Sequence, residues 1–263
     1  MHADIEGRSV HWLERGEGEL ALLVHGFPLD ARLWLDQFDP LSSVRRVVAV
    51  DLRGCGGSGP VVGSPLTMEA LASDLDLLAD HLGADRLDLL GLSMGGYVAL
   101  AFAELFGHRL RSLVLLDTKA EPDSEAGRAA RISTAERVVA AGSAAFAEEL
   151  QGALLGPEAS IPVRARLRTM VEATPYETIV ATLHGMAERP DRTHVLATVD
   201  VPSLVVTGEH DRIAPPEVAE ATAAALPDGS VVVIEGAGHL TPMEAPQALN
   251  AALRAHLARV DAG

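Results

Sequence analysis

Cysteine, lysine and aromatic residues are all scarce in this chain. Its one cysteine, Cys55, has no partner within the chain, which excludes an internal disulfide framework and a cysteine-based zinc site. Lys119 is the sole lysine, and the sequence assigns it no role. Aromatic residues make up 3% of the chain, so a wide aromatic-lined pocket is not indicated, although Trp34, Phe102, Phe146 and Tyr176 remain available to one. Positive charge is in the minority, 21 Lys and Arg against 37 Asp and Glu, for a net charge of −16. That balance excludes a nucleic-acid partner, whose binding needs clustered cations to release counterions, and an anionic membrane surface would repel the chain. No apolar run approaches the roughly 20 residues needed to cross a bilayer. The first residues, Met1 to Arg8, lack a basic start and an apolar stretch. The expectation is a cytoplasmic protein without a secretory leader.

What is present is a chain of 263 residues, 48% of them hydrophobic. At about 150 residues per domain this predicts one large domain, with room for an insertion, and enough apolar surface to do without staples. Short apolar runs at Leu20–Val24, Val47–Val50, Leu87–Leu90, Leu113–Leu116, Leu204–Val206 and Val231–Ile234 fit strands of a parallel sheet buried on both faces. Helix patterns lie between them, at Thr67–His81, Gly95–Phe106, Pro216–Ala225 and Pro246–Arg259. Thr67 suits an N-cap, and Pro216 and Pro246 suit first turns, where a missing N–H costs nothing. Ile5 and Val10–Leu13 flank the turn-like pair Glu6-Gly7 and predict an antiparallel hairpin at the sheet edge. Strand–helix alternation implies an open α/β sheet, mostly parallel, with helices on both faces and ligands outside the carboxyl ends of the strands.

The alternation stops between residues 121 and 195. There the sequence predicts helices at Ser124–Ala141, Ala144–Leu155, Val163–Ala173 and Glu177–Glu188, divided by Gly142, Gly156-Pro157 and Thr174-Pro175. The expected organisation is a core of residues 1–120 and 196–263 with a helical cap, 121–195, inserted between two strands and lying over their ends.

The strongest motif is Gly91-Leu92-Ser93-Met94-Gly95-Gly96, directly after one predicted strand and before a helix. A serine at so sharp a turn presents its hydroxyl above the sheet, and its neighbours two before and two after must be small. Gly91 and Gly95 meet that need, and Gly96 lets the helix close on the next strand. A serine hydroxyl needs a base to take its proton. His239, after Val231–Ile234 and the loop Gly236–Gly238, is the candidate. A carboxylate should then orient the imidazole and stabilise its cation. Asp211, just past Leu204–Val206, is the first choice, with Glu209 and Asp117 as competitors. His81, His108, His184 and His256 fall on or beside predicted helices and read as surface or packing residues, while His210 adjoins Asp211. The oxyanion formed in acyl transfer needs two donors: the backbone N–H of Met94, and that of Phe27 in the loop His25-Gly26-Phe27-Pro28, which His25 is expected to shape.

Together His25–Pro28, Asp51–Ser58, Gly91–Gly96, Gly208–Asp211 and Gly236–His239 resemble the α/β-hydrolase superfamily over nearly the whole chain. Within it, the chain is similar to the bacterial esterase and oxoadipate enol-lactonase-like branch. The resemblance implies an α/β-hydrolase fold, an eight-stranded, mostly parallel sheet flanked by helices and covered by a helical cap. It also implies roles: Ser93 as nucleophile, Asp211 as acid, His239 as base, and Phe27 and Met94 as oxyanion donors. Cys55 stands where relatives often carry His, Phe or Tyr, and reads as structural. Haloalkane dehalogenases and epoxide hydrolases of this fold carry Asp where Ser93 stands. Cofactor-free perhydrolases usually follow their serine with a Gly-Gly-Gly-Glu pattern that Gly95-Gly96-Tyr97-Val98 breaks.

The expected function is hydrolysis of a small-molecule carboxylic ester or lactone through an acyl-enzyme, a chemistry that needs no metal or organic cofactor. Carbon–carbon bond hydrolysis, acyl transfer, perhydrolysis on the same triad, and a non-catalytic ligand-binding scaffold stand as alternatives. The cap segment carries Arg128, Arg131, Arg137, Arg164, Arg166, Arg168, Arg189 and Arg192. Most are expected on solvated helix faces. One of them clamping a substrate carboxylate would favour an acid-bearing lactone over a neutral ester.

Overall fold

Eight strands build one sheet in the computed structural model, which describes residues Met1–Gly263. They are β1 (His2–Ile5), β2 (Arg8–Arg15), β3 (Leu20–Val24), β4 (Arg46–Val50), β5 (Leu87–Leu92), β6 (Leu110–Leu116), β7 (Ser203–Gly208) and β8 (Gly229–Ile234). Their spatial order is β1-β2-β4-β3-β5-β6-β7-β8. The first three in that order pair antiparallel and the rest are parallel. The hairpin forms because Glu6 and Gly7 both take positive φ, 52° and 78°, the handedness a two-residue turn between twisted strands requires.

The Val- and Leu-rich runs are strands because both faces are covered. Every residue of β3, β5 and β7 is buried, and their Leu, Val and Ala side chains belong to one apolar cluster of 74 residues. One strand departs from expectation. β8 is an edge strand, and Val231 and Val233 stay 38% and 41% exposed. Nothing follows it in the sheet, so its apolar outer residues have no layer to enter.

Ten helices complete the fold: α1 (Leu35–Ser42), α2 (Met68–His81), α3 (Met94–Phe106), α4 (Glu125–Leu154), α5 (Ile161–Ala173), α6 (Tyr176–Glu188), α7 (Thr193–Leu196), α8 (Pro216–Ala225), α9 (Thr241–Glu244) and α10 (Pro246–Ala262). Thr67 caps α2 by accepting from the Ala70 N–H at 3.2 Å. Sequence periodicity missed α1, which carries Pro40 inside, and the one-turn helices α7 and α9. Helices α4 to α7 all lie between β6 and β7. α4 runs as one helix broken at Gly142, whose φ of 79° and ψ of 172° only glycine tolerates readily. No helix is long and apolar enough to cross a membrane.

At the amino ends of the parallel strands, Asp88 is fully buried and meets Arg45 at 2.6 Å, Arg111 at 3.2 Å and the Ser112 hydroxyl at 2.7 Å. α10 closes over this cluster, with Asp261 2.8 Å from Arg45 and His256 buried on its inner face.

Candidate active site

Strand register brings the loops together. Val24 of β3 pairs with Gly91 of β5, and Gly91 with Leu115 of β6, so these strands end in step. Gly208 and Ile234 end β7 and β8 opposite each other. The loops after β3, β5, β7 and β8 therefore leave one edge of the sheet.

Ser93 follows β5 with φ 53° and ψ −113°, a conformation L-residues seldom adopt and that only surrounding structure can enforce. Enforcement is visible. The Ser93 N–H donates to Leu116 O at 2.8 Å, and its carbonyl accepts from Gly96 N–H at 2.9 Å and the Thr118 hydroxyl at 2.7 Å. The turn leaves no room for side chains. A Cβ at Gly91 would overlap the Gly95 carbonyl, one at Gly95 the Val24 carbonyl, and one at Gly96 the Thr118 side chain.

His239 is 2% exposed. Its Nε2 lies 2.8 Å from Ser93 Oγ and its Nδ1 2.7 Å from Asp211 Oδ2. A carboxylate only accepts, so Nδ1 carries the proton and donates it to Asp211. Nε2 is left as the acceptor for the Ser93 hydroxyl. The other Asp211 oxygen accepts from the N–H groups of Ile213, at 2.8 Å, and Ala214, at 3.1 Å. Burial alone would raise the Asp211 carboxyl, but the hydrogen bond and charge of His239 and these two amides hold it below the usual range. It is an anion fixed at both oxygens.

The competing acids sit elsewhere. Glu209 is exposed and accepts from Gly236 N–H at 2.9 Å. Asp117, wholly buried, accepts from Gly208 N–H at 3.0 Å and from the Thr241 hydroxyl at 2.6 Å. It ties the end of β7 to the segment just past His239. Burial, and then the Asp211 charge, raise its carboxyl well above the ordinary range. His25 is buried and accepts the Leu52 N–H at its Nε2, 3.0 Å away, pinning the loop after β3. That loop passes close behind Ser93: a Cβ on Gly26 would stand 3.3 Å from the Ser93 Cβ. Phe27 follows at once. His210 is exposed. Cys55 is buried, and burial pushes its thiol up and away from thiolate chemistry.

Two further contacts had no sequence signal. The His239 N–H donates to Leu154 O, at the end of α4, at 2.9 Å. Glu244 accepts from Leu240 N–H at 3.0 Å with one oxygen and from Gly156 N–H at 2.7 Å with the other. The loop bearing His239 is thus strapped to the helical insertion.

Ser93 and His239 open into a cavity of about 500 Å³ whose other walls include Phe27, Tyr97, Lys119 and Arg131. Asp123, 7% exposed, lies in the wall. It is paired with Arg131, with Arg189 at 3.0 Å and with Lys119 at 3.8 Å. Burial would raise its carboxyl, but Arg131 and Arg189 hold it low. The Arg189 guanidinium also stacks over the Tyr97 ring at 4.0 Å. Of the eight arginines in residues 121–195, Arg131 is the one in the wall of the cavity that holds Ser93. Arg137 is held by Glu149, Arg166 by Asp36, Arg168 by Glu172, and Arg192 by Glu69 and Glu104. No group of three His, Cys, Asp or Glu is placed to hold a metal ion.

Comparison with known proteins agrees with this architecture. The sequence pattern of the alpha/beta hydrolase fold family matches residues 21–246. A thermophilic esterase from Thermogutta terrifontis, solved with malate bound, superposes with a TM-score of 0.93 at 43% identity, covering 96% of this chain and 94% of that one. The enol-lactonase from Burkholderia xenovorans LB400 superposes with a TM-score of 0.87 at 26% identity, over 98% of this chain and all of that one. In sequence, the chain is 32% identical to the dihydrolipoyllysine-residue acetyltransferase component of the acetoin cleaving system of Pseudomonas putida, over 97% of this chain and 68% of that protein.

Proposed function

From the premise that this chain belongs to the alpha/beta hydrolase fold family, we propose that it is a serine hydrolase that cleaves a small carboxylic ester or lactone through an acyl-enzyme. The observation that carries the reading is the unbroken chain of contacts from Ser93 Oγ to His239, 2.8 Å, and from His239 to Asp211, 2.7 Å, at the floor of an open cavity. The ester and lactone activities named for the Thermogutta and Burkholderia neighbours support the bond type.

In this reading the Ser93 oxygen attacks the substrate carbonyl as Nε2 of His239 takes its proton, and Asp211 stabilises the imidazolium. The amides of Phe27 and Met94 receive the negative charge that develops on the carbonyl oxygen. His239 then protonates the leaving alcohol, the bond to it breaks, and an acyl-Ser93 ester remains. Water, deprotonated by the same imidazole, releases the acid and restores Ser93. Residues 121–195 act as a cap over residues 1–120 and 196–263, forming one wall of the cavity and excluding bulk water from the acyl-enzyme.

The test is Ser93→Ala with p-nitrophenyl acetate. Turnover should fall by about 10⁴-fold or more, and a fluorophosphonate should add once to the wild-type chain and not to the variant. Near-native turnover by the variant overturns the assignment. The acetyltransferase component named for the Pseudomonas relative favours a second reading, transfer of the acyl group to an alcohol or thiol. Products formed with an added acceptor separate the two: free acid alone marks a hydrolase.

A further inference from the structure

Three cations converge on a single carboxylate beside Ser93. Lys119 and Arg131 in the cavity wall, and Arg189 outside it, all pair with Asp123, three cations to one carboxylate. The other carboxylate in its wall, Glu149, is exposed and answered by Arg137 at 2.8 Å. This excess occurs in a chain of net charge −16, whose overall field repels anions.

The three cations are not equivalent. Arg189 is buried, donates to the carbonyls of Met186 and Glu121 at 3.0 and 2.9 Å, and lies behind Tyr97. It neutralises Asp123 from the far side. Arg131 keeps part of its guanidinium at the cavity wall, with Nη1 against Met186 Sδ at 3.5 Å. Lys119 is the least committed. Its ammonium stands 3.8 Å from Asp123 Oδ1, too far for a hydrogen bond, and it makes none elsewhere in the chain. Lys119 and Arg131 therefore line the same cavity as Ser93, an ammonium with no hydrogen bond of its own beside a guanidinium whose fork matches a carboxylate.

We infer that this pair is an anion subsite, and that the substrate class is an ester or lactone carrying a carboxylate, held by Lys119 and Arg131 while Ser93 meets the scissile carbonyl. The choice of scissile bond rests on the serine-hydrolase reading above, whereas the anion's contacts do not. Asp123 keeps the two cations positioned and spaced when the site is empty.

Binding tests the subsite apart from chemistry. Ser93→Ala protein is titrated, with ligand NMR as readout, with monomethyl glutarate and with methyl pentanoate, which is uncharged and of similar length. The anionic ester should bind at least tenfold more tightly, the worth of one charged hydrogen bond. Lys119→Met and Arg131→Met, each added to Ser93→Ala, should each reduce that preference about tenfold, and Lys119→Arg should restore most of it. Raising salt from about 0.02 to 0.5 M should weaken the anionic ester alone. Should Arg131→Met fail to fold, Lys119→Met decides, since Lys119 makes no hydrogen bond that the fold needs. Equal binding of the two esters, or a preference that survives Lys119→Met, overturns the subsite. Turnover of p-nitrophenyl acetate by the wild type reports on Ser93 separately, so either reading can fail while the other stands.

Discussion

His256 is 5% exposed and neither ring nitrogen has a hydrogen-bond partner. Burial lowers its pKa to about 4, helped by the charges of Arg259 and Arg45 and opposed by Asp88 and Asp228. The imidazole is therefore neutral in the fold and titrates near 6.5 once the chain unfolds. Between those two values the unfolded chain holds the extra proton, so stability falls as pH drops. Over the whole window the loss is about 3 kcal/mol, and between pH 8 and pH 5 it is about 2 kcal/mol. His256→Leu keeps the volume and removes the titration. Urea unfolding followed by circular dichroism at pH 8, 7, 6 and 5 should give a variant whose stability declines by about 2 kcal/mol less than wild type over that range, equivalent to about 4 °C in Tm. At pH 8 the variant should match or exceed wild type, because two orphaned nitrogens are gone. Parallel stability curves for the two proteins would refute the reasoning. The experiment also serves enzymology. Any loss of turnover in acid that comes from erosion of the fold through His256 should be absent from the variant, so the variant separates it from effects at the active site.

Asp211→Asn removes the acceptor that fixes the His239 tautomer, and kcat should fall by roughly 10³- to 10⁴-fold with the fold retained; a loss within tenfold in p-nitrophenyl acetate assays would mean another group orients the ring. Gly95→Ala places a methyl group 2.8 Å from the His25 carbonyl oxygen and closer still to that of Val24. Backbone cannot yield as a side chain can, so the cost should be about 1–3 kcal/mol in urea unfolding, with a more than tenfold loss of kcat from displacement of Ser93. Wild-type stability with full activity would show that the elbow is looser than its contacts imply.

The parts of this molecule that sequence disclosed are those governed by short-range chemistry. β3 was readable because Leu20–Val24 is apolar without interruption and both its faces are buried. The turn at Ser93 was readable because only glycine fits at Gly91, Gly95 and Gly96. Ser93, Asp211 and His239 are legible because each follows a strand, and parallel strands deliver their loops to one edge. What escaped depends on distance. The exposure of Val231 and Val233 follows from β8 being outermost in the sheet, a fact of strand order. α1 was hidden by Pro40, which propensity reads as a break. Lys119 carries no signal as a single residue after β6, because Arg131 on α4 and Arg189 just past α6 meet it around Asp123 only in the folded chain. Glu244 is the same case, since its partner Gly156 is 88 positions away in the chain.

The twisted backbone at Ser93 has a bearing on descent. Glycine adopts that geometry freely, whereas serine holds it at a cost of about 1–3 kcal/mol, so durability and turnover favour different residues at this one position. A lineage no longer under pressure to react with its substrate should surrender the hydroxyl early, gaining robustness as it does so. A serine at position 93, in so unaccommodating a turn, is what the serine-hydrolase reading proposed above requires.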